Sequence, residues 1–321
     1  MRRSPWLFAP LLLVACAGSP KPDSQAGGTP SAAPPAGPTP LPPSATAPDA
    51  KAAPTPDAKA AAAANGCGEL GCRTFATVNE AIAVVLAKKP LVIGIGEAHA
   101  QKGTEDIPST TKRFTEQILP TLQGRASFLA VELMLPNPKC QKETKQVAKQ
   151  QKPVTEPQAE TNQNEYVVLG KRAKALGIVP DLLRPSCDDL TRITQAGAGD
   201  IGVMLETIAK LTRETAVAEL GRNKQAGKQD LMVVAYGGAL HNDVAPRPGR
   251  ETWTYGPDLA KATGDRYLEL DLIVPEYIKD TDTWTSLPWF KHYDRDKLGD
   301  KVVLFSPTPT SYVLVFPKTT R

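Results

Sequence analysis

The sequence predicts an α/β fold with a mostly parallel central sheet, helices on both faces and a C-terminal antiparallel hairpin. Apolar strand-like runs alternate with segments of helical spacing along most of the chain, a pattern typical of parallel sheets covered by helices. The final run, "KVVLFSPTPTSYVLVF", consists of two apolar stretches around Ser306 to Ser311 and indicates a hairpin.

The predicted elements follow this alternation in order. Helical spacing in "TVNEAIAVVLAKK" predicts the first helix, and Pro90 ends it before a strand over 91–95. Later strands are predicted in "SFLAVELML", "GIVPDLL", "DLMVVAYG" and "RYLELDLIV". Later helices are predicted in "TKRFTEQILPTLQ", "NEYVVLGKRAKAL", "GDIGVMLETIAKLTRETAVAELGR" and "GPDLAKATG". The lysine-rich stretch "KCQKETKQVAKQQK" indicates a solvated helix or loop.

The N-terminus has the pattern of a bacterial lipoprotein signal. The predicted signal covers residues 1–15: Arg2 and Arg3 precede the apolar run "WLFAPLLLVA", which is too short to be a stable membrane span, and "LVAC" ends at Cys16. Cys16 would then be lipidated, and Ala17 after it favours the outer membrane. The alternative is an ordinary export signal with a chance cysteine. Residues 16–65 are rich in Ala and Pro, so we expect a disordered tether and a single α/β domain over 66–321.

The charge balance argues against one class of partner. The net charge is +4 on 321 residues, and no basic run is interleaved with aromatic residues. Nucleic-acid binding therefore has little support. The expected partners are the membrane, through the lipid anchor, and a small-molecule or peptide ligand.

Four cysteines remain once Cys16 is set aside, and an even number in an exported protein suggests disulfides. Cys67 and Cys72 could close a short loop. Cys140 and Cys187 each follow a strand-like run, so the two would meet if those strands are neighbours. We favour these two pairs among the three pairings. The rival is a four-cysteine zinc site, but the spacings fit no finger or ribbon pattern.

Several polar side chains occur where predicted strands end. Glu97 and His99 follow the first strand two residues apart, so both can point to the same side. Glu132 sits inside an apolar run, where a carboxylate must be paired, metal-bound or protonated. His241 and Asn242 follow the strand in "DLMVVAYG". Ligands of open α/β sheets bind at the carboxyl ends of strands, so the sequence predicts one shared site.

Three other residues have weaker support. Arg184 and Asp188 follow the strand in "GIVPDLL" and could reach the same edge of the sheet. His292 lies among charged and aromatic residues without a preceding strand, and we expect it to be a surface or packing residue.

The motifs around these residues resemble a known superfamily. Gly96-Glu97-Ala98-His99 and Gly238-Ala239-Leu240-His241 are both Gly-x-x-His, and "LAVELMLP" carries a glutamate between them. Together they resemble the erythromycin esterase-like, ChaN-like haem-binding uptake and TraB/Tiki proteins, over most of residues 75–275. The ChaN-like branch is nearest. Ala100 replaces the final glycine of the esterase motif, which argues against macrolide hydrolysis.

The resemblance implies a site made of Glu97, His99, Glu132 and His241, with Arg113 or Arg184 as further candidates for positive charge. Three chemistries remain open. The four residues could bind manganese, cobalt or zinc and activate a water. They could instead work without metal, with His99 as general base tuned by a glutamate and His241 stabilising developing charge. In the third, His99 or His241 ligates haem in a non-catalytic binding protein. Two acids beside two imidazoles favour a hydrolase.

Overall fold

The computed structural model describes Cys67, residues 70–197 and residues 200–320. The predicted signal, Cys16 and the predicted tether lie outside the described residues. No helix in the described part of the chain combines the length and apolar character needed to cross a membrane.

The described residues form an α/β structure around one mixed sheet of eight strands, and the predicted fold class is confirmed. The strands are β1 (Cys72–Phe75), β2 (Val92–Glu97), β3 (Ala126–Met134), β4 (Val179–Leu183), β5 (Met232–Gly238), β6 (Tyr267–Ile273), β7 (Val302–Thr308) and β8 (Ser311–Val315).

The helices alternate with the strands through the centre of the chain. They are α1 (Val78–Leu86), α2 (Thr110–Arg113), α3 (Gln141–Thr155), α4 (Thr161–Ala175), α5 (Cys187–Ala196), α6 (Gly202–Gln225), α7 (Gly256–Ala262), α8 (Asp282–Thr285) and α9 (Arg295–Leu298). A π-helical turn (Phe114–Ile118) and a 3₁₀ turn (Leu119–Leu122) continue α2, and further 3₁₀ turns lie at Glu251–Trp253, Pro275–Tyr277 and Phe290–His292.

The strand order is β1-β7-β8-β6-β2-β5-β3-β4. Every pair from β8 to β4 is parallel, whereas β1 pairs with β7 and β7 with β8 in antiparallel fashion. The chain passes from β2 to β3 and later inserts β5 between them, which leaves the carboxyl ends of β2, β5 and β3 side by side. Such a reversal of strand order is where open α/β sheets bind ligands.

The core has one layer on each face of the sheet. On one face, apolar side chains of α1, the π-helical turn and α4 pack against Ile93 and Ile95 of β2. On the other face, Ala216 of α6 and Leu259 of α7 pack against β3 and β5. Because side chains alternate along a strand, Glu97 points to the α1/α4 face and Glu132 to the α6/α7 face.

The structure refines the predicted elements in four places. The lysine-rich stretch is a helix, α3, and the predicted helix after residue 110 changes from α to π to 3₁₀ geometry. Strand β1 and helix α5 were not predicted. A capping box between Ser186 and Asp189 begins α5, and β1 is only four residues long.

Both favoured cysteine pairs are disulfides in the structure. The Cα atoms of Cys67 and Cys72 are 5.5 Å apart, and those of Cys140 and Cys187 are 5.6 Å apart. Cys140 and Cys187 meet because β3 and β4, the strands that precede them, are parallel neighbours, as the predicted pairing required. The four cysteines therefore form two separate bridges rather than one zinc site.

Candidate functional site

The Glu97 carboxylate lies at the end of β2 and accepts four side-chain hydrogen bonds. Thr111 Oγ1 donates to Oε2 at 2.8 Å, and Tyr236 OH donates to the same oxygen at 2.6 Å. Tyr166 OH and His99 Nδ1 both approach Oε1, the latter at 2.8 Å. With both oxygens occupied and only 4% of the residue exposed, the carboxylate is held in a fixed orientation.

This environment decides the charge of Glu97. Burial by itself would raise the pKa of the carboxyl, but the charge of His99 and the hydrogen bonds from His99, Tyr166 and Tyr236 together lower it. Glu97 is therefore ionised at neutral pH. Because a carboxylate only accepts hydrogen bonds, Glu97 fixes a proton on Nδ1 of His99 and so orients the ring.

A second acid–imidazole pair lies beside the first, at the ends of β3 and β5. Gly238 N donates to Glu132 Oε2 at 2.6 Å, while Glu132 Oε1 lies 3.4 Å from His241 Nε2. His241 Nδ1 lies 2.6 Å from the carbonyl oxygen of Trp253, which can only accept. Both Glu132 Oε1 and His241 Nε2 are buried without a hydrogen-bond partner in the structure. The hydrogen-bonding capacity of these two facing atoms is therefore unsatisfied.

The geometry of His241 favours its protonated form. With the Nδ1 proton committed to the Trp253 carbonyl, a neutral ring would present a lone pair on Nε2 to the Glu132 carboxylate. Burial lowers the pKa of His241, but the charge of Glu132 and the Trp253 carbonyl outweigh burial and raise it. The two pairs therefore differ in geometry: Glu97 holds His99 through Nδ1, whereas Glu132 faces Nε2 of His241.

The two pairs influence each other across the sheet edge. Besides burial, the charge of His99 opposes protonation of His241. Burial and Glu97 raise the pKa of Tyr166 well above its ordinary value, and the charge of Glu132 adds to that rise. The backbone joins them as well, because Ala239 N donates to the carbonyl oxygen of Glu97 at 3.1 Å. The four predicted residues thus lie as two pairs at one edge of the sheet, with Glu97 on the α1/α4 face and Glu132 on the α6/α7 face.

Glycines make room for the polar side chains. A Cβ at Gly237 would collide with Glu132, contacting its Cβ at 2.8 Å. A Cβ at Gly96 would collide with Asp271 and with the amide of Asn242. At the ends of both strands, glycine therefore lets polar side chains approach the backbone closely.

Behind Gly96, on the α6/α7 face, lies a group of carboxyls. Asn242 Nδ2 donates to Asp271 Oδ1 at 2.9 Å and to the carbonyl oxygen of Gly94 at 3.3 Å. Burial and the neighbouring Glu269 raise the pKa of Asp243 to about 7. Burial and the same neighbour raise that of Asp271 well above its ordinary value. Asn242 therefore supports the site from a second polar cluster.

A cleft of about 250 Å³ opens beside the Glu97–His99 pair. Its walls come from the loop after β2, the start of α2 and the start of α4. The lining includes Ala100, Ser109 and Glu165, which are sequence neighbours of site residues. A larger hollow of about 740 Å³ lies at the opposite, amino-terminal edge of the sheet, and none of the four site residues lines either cavity.

The weaker candidates lie outside the two pairs. Arg113 is buried, and its guanidinium donates to the carbonyl oxygens of Pro108 and Pro317, which gives it a structural role. Arg184 forms an exposed ion pair with Asp181. Asp188 is exposed in the first turn of α5.

Thr111, Tyr166 and Tyr236 were not predicted. Tyr236 has a signal in hindsight: it is a polar-tipped residue in the apolar run "VVAYGG", and β5 pairs with β2 so that Gly238 lies opposite Glu97. Tyr166 has none, because it reaches Glu97 from a helix 69 residues further along the chain. Only the packing of α4 on the sheet brings it there.

No protein-family model, curated protein or solved structure matches this chain. The resemblance of the three motifs to the ChaN-like, erythromycin esterase-like and TraB/Tiki proteins therefore remains a prediction from the sequence.

Proposed function

We propose that this chain is an exported, lipid-anchored protein whose α/β domain hydrolyses an ester or amide bond in a small molecule or peptide. One observation carries the proposal: two histidine–glutamate pairs lie at the carboxyl edge of the sheet, with Glu97 on Nδ1 of His99 and Glu132 opposite Nε2 of His241. Paired titratable groups with such different environments are typical of acid–base catalysis.

His99 is the proposed general base. Glu97 orients the ring through Nδ1, and in the proposed reaction Nε2 accepts a proton from water as the water oxygen attacks the carbonyl carbon. The same Nε2 then returns that proton to the leaving oxygen or nitrogen when the tetrahedral intermediate collapses. Thr111, Tyr166 and Tyr236 keep Glu97 ionised and oriented throughout.

His241 is the proposed electrostatic partner. As a cation it places a positive charge where negative charge develops on the carbonyl oxygen, and its unsatisfied Nε2 proton can be donated there. Glu132 raises the pKa of His241 and so keeps that cation present at neutral pH.

The residues fit a resident metal only in part. Both Glu97 oxygens already accept hydrogen bonds, and His99 Nδ1 and His241 Nδ1 are committed to other groups. Glu132 Oε1 and His241 Nε2 are buried without a hydrogen-bond partner and are the atoms of these pairs that could coordinate a metal ion. Within the described ranges, no group of three or more His, Cys, Asp or Glu residues is arranged to hold a metal ion. We therefore derive no step through manganese, cobalt or zinc.

Haem fits less well. The cleft of about 250 Å³ is smaller than the ~300 Å³ at the low end of pockets for drug-sized ligands. The size of the cleft favours the hydrolase over the haem-binding alternative.

The lipid anchor depends on Cys16 and follows from the sequence pattern alone. Metabolic labelling with palmitate tests it directly. We expect the label on the wild-type protein and none on Cys16→Ser; equal labelling of both would contradict the anchor.

The hydrolase proposal can be tested by assaying the EDTA-treated protein against p-nitrophenyl esters of acetate, butyrate and octanoate. We expect hydrolysis that persists without added metal and falls on the order of 10²-fold in Glu97→Gln. Glu214→Gln, an exposed carboxylate of α6, is the control and should keep the wild-type rate. Activity that appears only after manganese, cobalt or zinc is returned would overturn the metal-free mechanism.

A further inference from the structure

The cleft beside Glu97 is built from the same two chain segments that hold Glu97. Ser109 caps α2 and lines the cleft, and Thr111 two residues later donates to the Glu97 carboxylate. In α4, Glu165 lines the cleft and the next residue, Tyr166, donates to the same carboxylate. Whatever occupies the cleft therefore contacts the segments that orient the proposed catalytic pair.

Glu165 is a carboxylate in need of a positive partner. It is partly buried, and its hydrogen-bond donor is the neutral hydroxyl of Ser109. In the part of the chain that the structure describes, no Lys, Arg or His nitrogen lies within 4.0 Å of it. Burial raises its pKa and the charge of Glu97 adds to that rise, while the Ser109 hydrogen bond and the more distant charge of Lys112 reduce it without reversing it. An incoming cation would relieve both effects.

The rim of the cleft also carries negative charge. Glu105 and Asp106 line it together with a single lysine, Lys112. Lys112 forms its ion pair with Glu116 on the next turn and also acts on Glu165, so one lysine faces three carboxylates of the lining. The field inside the cleft is therefore negative, which attracts cationic groups and repels anionic ones.

We propose that this cleft is the substrate subsite of the hydrolase and that it binds a cationic group, such as a primary ammonium, against the Glu165 carboxylate. That the bound molecule is a substrate rests on the proposed function, whereas the binding of a cationic group in the cleft does not. A volume of about 250 Å³ accommodates a small amine or the charged end of a larger molecule. The reacting bond would then extend from the cleft toward His99, whose neighbour Ala100 forms part of the wall.

Three probes of one shape and different charge test this: benzylamine, benzyl alcohol and benzoate. Each is titrated into the ¹⁵N-labelled full chain, and amide chemical shifts are followed. We expect benzylamine to bind about tenfold more tightly than benzyl alcohol, the size of one charge-assisted hydrogen bond, and benzoate to bind most weakly. The shifts should fall in residues 104–112 and 159–166, and include the amides of Thr111 and Tyr166.

Glu165→Gln should reduce benzylamine to the affinity of benzyl alcohol. Glu160→Gln removes an equal charge from an exposed residue that precedes the same helix and does not line the cleft, so it should keep the preference. Equal binding of all three probes, an unchanged preference in Glu165→Gln, or shifts confined to another surface would overturn the subsite.

The same titration separates this inference from the proposed function. His99→Asn should abolish hydrolysis while the preference for benzylamine persists. If the preference for the amine is present but no ester is hydrolysed by the wild type, the hydrolase proposal fails and the cation site stands. If esters are hydrolysed but the probes bind without regard to charge, the cation site fails and the hydrolase stands.

Discussion

The proton on His241 is the single-residue feature on which the proposed chemistry depends. Glu132 raises the pKa of His241 against the opposing effect of burial. A raised folded-state pKa means that the pair stabilises the fold fully below the ordinary histidine pKa and loses that contribution as pH rises through the folded value. The His241–Glu132 pair therefore stabilises the fold most in acidic solution, and this contribution falls as the pH rises through the folded-state pKa of His241.

Glu132→Gln should lower the pKa of His241, because the neutral amide removes the charge that holds the imidazolium. The imidazole signals followed by NMR over pH give this directly, since the chain has only three histidines. Denaturant unfolding should show the largest loss of stability near about pH 6 and a smaller one near about pH 9. A His241 titration at the same pH in both proteins would contradict the pairing.

Gly237 should not tolerate a side chain. Gly237→Ala drives a methyl group into Glu132 and its contact with the Gly238 amide, and we expect a loss of about 1–3 kcal/mol of unfolding free energy. Gly221→Ala, within α6 and with no heavy atom within 4 Å of the added carbon, is the matched control. It should gain about 0.5–1 kcal/mol by restricting the unfolded chain. Equal stability of the two variants in urea would contradict the packing described for Glu132.

The residues of the site differ in how well the sequence alone predicts them. Glu97, His99 and His241 follow strand ends directly, so local pattern and the rule for parallel sheets suffice to suggest them. Glu132 stands out because a charge in an apolar strand needs a partner. Tyr166 cannot be found this way, since its bond to Glu97 depends on how α4 packs and not on any neighbour in sequence.

At the scale of elements, β3 and β4 are held at the site edge by a covalent bridge as well as by pairing. The bridge joins Cys140, after β3, to Cys187, at the start of α5. It closes a loop of 47 residues, whereas the bridge between Cys67 and Cys72 closes one of five. Because loop entropy rises with length, the longer bridge should restrict the unfolded chain more.

Replacing Cys140 and Cys187 by serine should therefore cost about 4 kcal/mol of unfolding free energy in the chain-entropy model, against about 2 kcal/mol for Cys67 and Cys72. Thermal or urea unfolding of the two double variants measures the difference. A greater loss from the shorter bridge would mean that local packing around β1, and not loop closure, dominates.

The elements themselves were predicted where their signal was periodic and long. Strands β2, β3 and β5 are apolar runs, and α1 and α6 show clear helical spacing. Helix α5 was missed because its signal is the short capping box from Ser186 to Asp189 rather than an apolar stripe. The π turn at Phe114–Ile118 is invisible to a 3.6-residue period, yet it carries Phe114, whose ring centroid lies 4.7 Å from that of Tyr236.

For the whole molecule, the order of the strands turns separate sequence motifs into one site. Inserting β5 between β2 and β3 brings Glu97, Glu132 and His241 to one edge, although they are far apart in the chain. The sequence predicts a parallel sheet but not this order, because the pattern of each strand does not specify its neighbours. The central claim is that both histidines at this edge act together in hydrolysis.

The direct test is the hydrolysis rate of three variants of equal chemistry, His99→Asn, His241→Asn and His292→Asn, on the best ester of the panel. His292 lies in a 3₁₀ turn outside both pairs and serves as the control. We expect losses on the order of 10²-fold or more for His99→Asn and His241→Asn and the wild-type rate for His292→Asn. Retention of the wild-type rate by either of the first two would contradict a shared catalytic site.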